Sequence, residues 1–148
     1  VQTIVKQGLM LKRKSKKYYL KSIKLIPTLP NHAVIEIEVG KVTSLNMFYA
    51  SKHWIVRKKA KDKFSAEILE QLNKYDKITF KSITVKVETN LRYDIDNCIM
   101  VAKFALDAFK DWGGIPDDTK EFVPKLTMEY NPNLEKNTSK VFYRGLVS

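Results

Sequence analysis

Residues 82–89 alternate strictly, with Ile83, Val85 and Val87 on one side of the chain and Thr84, Lys86 and Glu88 on the other. That period of two predicts a strand buried on one face only. Asn90 to Tyr93 leads out of it, and the period then changes. Cys98, Ala102, Ala105, Phe109 and Trp112 recur at helical spacing, predicting a helix from about Asp96 to Trp112 that Gly113-Gly114 stops. A half-buried strand feeding an amphipathic helix needs a sheet with helices laid on it, which excludes all-α and all-β architectures.

The remaining segments fit that scheme. Ile23 to Ile26 reads as a short strand. Ala33 to Val39 reads as a stronger one, with Ile35, Ile37 and Val39 interleaved with Glu36 and Glu38. Lys41 to Ala50 reads as a loop. Ser51 to about Tyr75 lacks Gly and Pro and carries the stripe Phe64, Ile68, Leu72, Tyr75, so it reads as a helix with Ser51 as its N-cap. Projected backward, the stripe meets Lys61, Arg57 and Trp54. The two cations there either snorkel over the core or face an anionic cleft. Phe122 to Tyr130 reads as a strand in which Pro124 favours an edge or a bulge. Asn131 to Ser139 is a polar loop, and Val141 to Val147 is a last strand. The expected fold is α/β (α+β): one domain over residues 1–148, with a mixed sheet packed by two main helices.

Cys98 is the lone cysteine, and His32 and His53 are the lone histidines, so an intrachain disulfide and cysteine-based zinc sites are excluded. A reducing cytoplasmic setting follows. Apolar runs are too short for a membrane span, and no apolar stretch of signal-peptide type follows the first basic residues.

Charge narrows the partner. Of the formal +11, residues 1–63 hold 15 Lys and Arg against 3 acids, so the rest of the chain is nearly neutral. Lys12, Arg13, Lys14, Lys16 and Lys17 form a basic run, and Arg57, Lys58 and Lys61 follow on the first helix. This pattern predicts phosphate contacts and a nucleic-acid partner. A membrane partner is disfavoured because no helix with a broad apolar face accompanies the lysines.

Against this basic background stand Asp94 and Asp96, at the junction of strand and helix, and the turn Pro116-Asp117-Asp118. Each has an ordinary structural account: Asp96 as a helix cap, Asp117 and Asp118 as turn formers. Together they offer oxygen ligands for a hard cation such as Mg²⁺ or Mn²⁺, which needs only one or two carboxylates beside phosphate and water. Such an ion lowers the pKa of water and offsets charge on phosphate. Lys103 and Asp107 lie on the non-core face of the same helix. Lys103 either pairs with Asp107 or leans toward a phosphate about 10 Å back along the axis.

At these residues the chain resembles the RusA-type Holliday-junction resolvases of phages and prophages. The resemblance runs over roughly residues 33–147. It rests on Arg92-Tyr93-Asp94-Ile95-Asp96-Asn97, Lys103, Leu106-Asp107-Ala108-Phe109 and Pro116-Asp117-Asp118, with Ser44-Leu45-Asn46 and Tyr49 upstream. It implies a RusA-like fold, a homodimer, and Mg²⁺ or Mn²⁺ held by Asp94, Asp96 and Asp118. It also implies a helical lysine needed for activity, which maps best onto Lys103, although the family position falls on Met100. Residues 1–30 have no counterpart in the family. The expectation is a structure-selective endodeoxyribonuclease in the bacterial host cytoplasm, cutting four-way DNA junctions in pairs. Lys12, Arg13, Lys14, Lys16, Lys17, Asn46, Arg57, Lys58, Lys61 and Arg92 would contact the DNA. A non-catalytic nucleic-acid-binding module and a phage DNA-packaging or assembly protein stand as alternatives.

Overall fold

The computed structural model describes residues 6–10, 19–50 and 53–148. In chain order these form β1 (Lys6–Met10), β2 (Leu20–Pro27), β3 (His32–Val39), α1 (Leu45–Ala50), α2 (Trp54–Leu72) and β4 (Phe80–Thr89). A 3-10 turn (Ile95–Cys98), α3 (Ile99–Trp112), β5 (Lys125–Tyr130) and β6 (Ser139–Val147) follow.

The six strands make one mixed sheet in the order β1-β2-β3-β6-β4-β5. Every neighbouring pair is antiparallel except β4 and β5, which run parallel. Parallel neighbours need a long crossover, and α3 supplies it. The result is a single α+β domain with a mixed sheet and two main helices on one face.

Alternation decides which face is covered. Ile83, Val85 and Val87 of β4 are buried, as are Val141 and Tyr143 of β6, while Lys86 stays exposed. Tyr143 stacks on Phe109 of α3 with ring centroids 4.3 Å apart, and its hydroxyl donates to Ala105 O at 2.7 Å. The two helices meet through Phe64 and Phe104, whose centroids are 5.5 Å apart. On the other face, Lys24 and Lys140 pair with Glu36, and Lys86 pairs with Glu88 and Glu129.

The C-terminus of α3 is a left-handed cap at Gly113, with φ of +85°, a conformation side chains resist. Gly114 O then accepts from Phe80 N at 2.7 Å, and Phe122 O accepts from Ile83 N at 2.8 Å. These tethers bring the chain back to the start of β4 before β5 begins.

Several expectations are revised. Residues 41–50 are not all loop: Leu45–Ala50 is a helix, with Ser44 Oγ accepting from Met47 N at 3.2 Å. With six residues it is too short to show a periodic stripe. The strand expected at Ile23–Ile26 runs from Leu20 to Pro27, and its buried Leu20 and Ile23 make it part of the core sheet. β1 carries no alternation that would have marked it. The helix expected from Asp96 opens instead as a 3-10 turn, with no side-chain cap bond from Asp94. Ser51 lies outside the described residues, and α2 is entered through His53. β5 starts at Lys125, after Pro124, and pairs only with β4, so it is the edge strand that the proline favours.

Candidate metal centre and nucleic-acid interface

The end of β4 is held by short polar bonds. Thr89 Oγ1 accepts from Ser139 Oγ at 2.9 Å and from Leu91 N at 3.2 Å. The chain bends through Arg92 and Tyr93, and Asp94 keeps an extended ψ of 151° before the 3-10 turn closes with Asn97 N on Asp94 O at 2.9 Å. Cys98 is buried beneath this turn and donates to Tyr93 O. Burial raises its thiol pKa, and the carboxylates of Asp96 and Asp94 raise it further. Each carboxylate is exposed, and neither has an ion pair or a side-chain hydrogen bond among the described residues.

α1 packs beside this turn. Phe48 anchors it, with its ring centroid 5.7 Å from that of Phe104, and Tyr49 meets Phe48 edge-on. Lys103 of α3 is exposed, with Nζ 5.8 Å from the centre of the Tyr49 ring. Asn46 is exposed on the same short helix. The fold thus gathers Asn46, Tyr49, Asp94, Asp96 and Lys103 around the start of α3. Met100, at the family's lysine position, is buried at 2% exposure. Three further residues rotate a helix by about 60° net, enough to cross from the core face to the solvent face.

Other expected residues lie elsewhere. Asp117 and Asp118 sit between the two tethers at the start of β4, at the opposite end of α3 from Asp96. Asp117 accepts from Asp118 N at 2.8 Å and pairs with Lys110 at 3.4 Å. Those interactions, the Asp118 amide first, lower its pKa. Fourteen residues of α3 correspond to roughly 20 Å of axis, so Asp118 does not join Asp94 and Asp96 within one protomer. Accordingly, no group of three or more His, Cys, Asp or Glu side chains among the described residues could hold a metal ion.

On α2, Lys58 pairs with Asp62 at 2.6 Å. Lys61 pairs with Asp107 at 2.9 Å, and that hydrogen bond is the main reason its pKa is raised. Asp107 therefore meets Lys61, not Lys103. Arg57 is half-buried on the same helix, and Trp54 is 63% exposed, so the backward projection of the stripe leaves the core. Lys12, Arg13, Lys14, Lys16 and Lys17 lie outside the described residues.

Arg92 is exposed at the mouth of a cleft of about 680 Å³ whose far wall is the loop between β5 and β6. Sequence reasoning passed over Tyr130 and Lys136, which line it. Their only signal was an aromatic just before, and a cation within, an asparagine-rich loop.

No family model matches the chain, and no curated protein matches it. No helix among the described residues is long and apolar enough to cross a membrane.

Proposed function

We propose that this protein is a metal-dependent, structure-selective endodeoxyribonuclease that resolves four-way DNA junctions by paired nicks. The observation that carries the reading is the pair Asp94 and Asp96. Two neighbouring carboxylates, with no cationic partner among the described residues, stand exposed at a strand end, in a chain of formal charge +11. Carboxylates left unpaired beside one another repel, and a hard cation with phosphate relieves that repulsion. The donor set fits Mg²⁺ or Mn²⁺, for which two carboxylates with phosphate and water suffice. Such an ion, when bound, supplies Lewis acidity and lowers the pKa of water.

The chain's own groups divide the remaining work. Asp94 and Asp96 would hold the ion, and Lys103 would offer positive charge to the oxyanion of the scissile phosphate. Asn46 and Arg92 position the strand. The resemblance to RusA-type resolvases supports a homodimer of RusA-like fold, encoded by a phage and working in the bacterial cytoplasm. A two-fold dimer gives two equivalent sites for two symmetric nicks. Dimerisation also offers a route by which Asp118 of the partner subunit completes the carboxylate set that one protomer keeps apart.

The test is incubation with a synthetic four-way junction and with linear duplex, each in Mg²⁺, Mn²⁺ or EDTA. Paired, metal-dependent cuts confined to the junction are expected. Salt-sensitive binding without cleavage in either metal would sink the reading and leave a non-catalytic nucleic-acid-binding module or packaging protein.

A further inference from the structure

We propose that the cleft between the Arg92–Asp94 bend and the loop 131–138 binds an unpaired DNA segment, with Tyr130 stacking on a base and Arg92 and Lys136 holding phosphates. The cleft, at about 680 Å³, is lined by these residues together with Asn90, Tyr93 and Asn137. Its size falls within the range of ligand-binding clefts.

Three observations support this. The far wall is built in advance: Asn90 Nδ2 donates to Leu134 O at 2.6 Å, Asn90 N to Thr138 O at 2.8 Å, and Asn137 N to Asn90 O at 3.0 Å. Asn131 Nδ2 adds a bond to Glu88 at 2.8 Å, and Asn131 N one to Thr89 O at 3.0 Å. A loop so tied loses little freedom on binding. The second observation is Tyr130, a large aromatic on an edge strand, 65% exposed and without a ring partner among the described residues. An exposed ring is a stacking platform only for a base that is itself unstacked. Third, Arg92 and Lys136 are exposed on this cleft and neither has an ion-pair partner among the described residues, whereas Lys58, Lys61 and Lys110 do. Cations and an aromatic ring that share one cleft, unpartnered among the described residues, match the phosphates and bases of a single strand. Asp94 also lines the cleft, so a strand lying in it passes the candidate metal ligands.

That the strand is DNA and runs to a cutting site rests on the nuclease reading; the binding itself does not. Fluorescence anisotropy with a short labelled oligothymidine, and with duplex of the same length, tests it in EDTA at several salt concentrations. Wild type and Tyr130→Phe are expected to bind the single strand equally. Tyr130→Ala should bind it about tenfold more weakly while changing duplex binding much less. Lys136→Gln should weaken binding and reduce the salt slope by about 0.7. Lys77→Gln, beside Gly113 at the far end of the sheet, should change neither quantity. No single-strand binding by wild type, wild-type behaviour in both cleft variants, a Tyr130→Phe as weak as Tyr130→Ala, or equal losses on duplex overturns the assignment. Junction cleavage is read separately. An active enzyme with unaltered cleft variants removes the cleft alone, whereas weakened cleft variants of an inactive protein remove the nuclease alone.

Discussion

Phe80 N donates to Gly114 O at 2.7 Å, fastening the end of α3 to the start of β4. Asp94 and Asp96 leave the other end of the same strand, so this one bond fixes Asp117 and Asp118 a helix length away. If Asp118 serves the metal, it does so across a dimer. Mixing Asp96→Asn with Asp118→Asn protein, each inactive alone, should therefore restore nicking of a junction, because one of the two shared sites in each heterodimer is intact. Absence of any rescue, with both parents dimeric, would place the whole set within one protomer.

Asp94 and Asp96 share one exposed turn without a counter-ion among the described residues. Asp94→Asn and Asp96→Asn should each weaken Mn²⁺ binding by at least about tenfold, as followed by calorimetry or spin resonance, and lower cleavage further. Junction binding in EDTA should persist. Thermal stability should move by less than about 0.5 kcal/mol, because neither side chain makes a bond among the described residues.

Lys103 and Met100 offer a paired test of which position carries the helical lysine. Lys103→Met removes an exposed side chain and should leave stability within about 0.5 kcal/mol. Cleavage should fall about a hundredfold with little change in junction affinity. Met100→Lys places an amine in the core, where Met100 is 2% exposed. It should cost several kcal/mol in urea unfolding and should not rescue Lys103→Met.

Glu67 holds the entry to β2 by accepting from Leu20 N at 3.0 Å, and its Oε2 is buried without a hydrogen-bond partner. Burial raises its pKa above the ordinary value of 4.5; bonds from the Leu20 and Tyr19 amides and the charge of Lys63 only partly oppose this. The folded protein thus holds this proton more tightly than the unfolded chain does. Ionised Glu67 costs stability at neutral pH; the cost shrinks as pH falls through the folded value and is gone below the ordinary one. Urea unfolding should show that contribution in wild type. Glu67→Gln, which keeps an acceptor for Leu20 N, should lack it and differ at neutral pH by no more than about 1 kcal/mol.

Long, strongly periodic segments were legible without coordinates. Ile83, Val85 and Val87 marked β4, and Cys98, Ala102, Ala105, Phe109 and Trp112 marked α3, because each pattern states which face meets the core. α1 was not legible, since six residues anchored by Leu45 and Phe48 are too few to carry a period. Nor was the partner of Asp107: helical spacing offers Lys103, but Lys61 arrives from a different helix.

What the sequence determined by itself was the class of fold, the basic field and the presence of Asp94 and Asp96 at a strand-to-helix junction. Side-chain period and local charge are properties of neighbouring residues, and neighbours are what a sequence records. The tertiary structure alone decided that Asp118 lies a helix length from Asp96, that Met100 is buried in the core, and that Tyr130 and Lys136 share a cleft with Asp94. Those relations depend on the parallel pairing of β4 with β5 across α3. That pairing joins segments some forty residues apart in the chain, and no local pattern of residues encodes it.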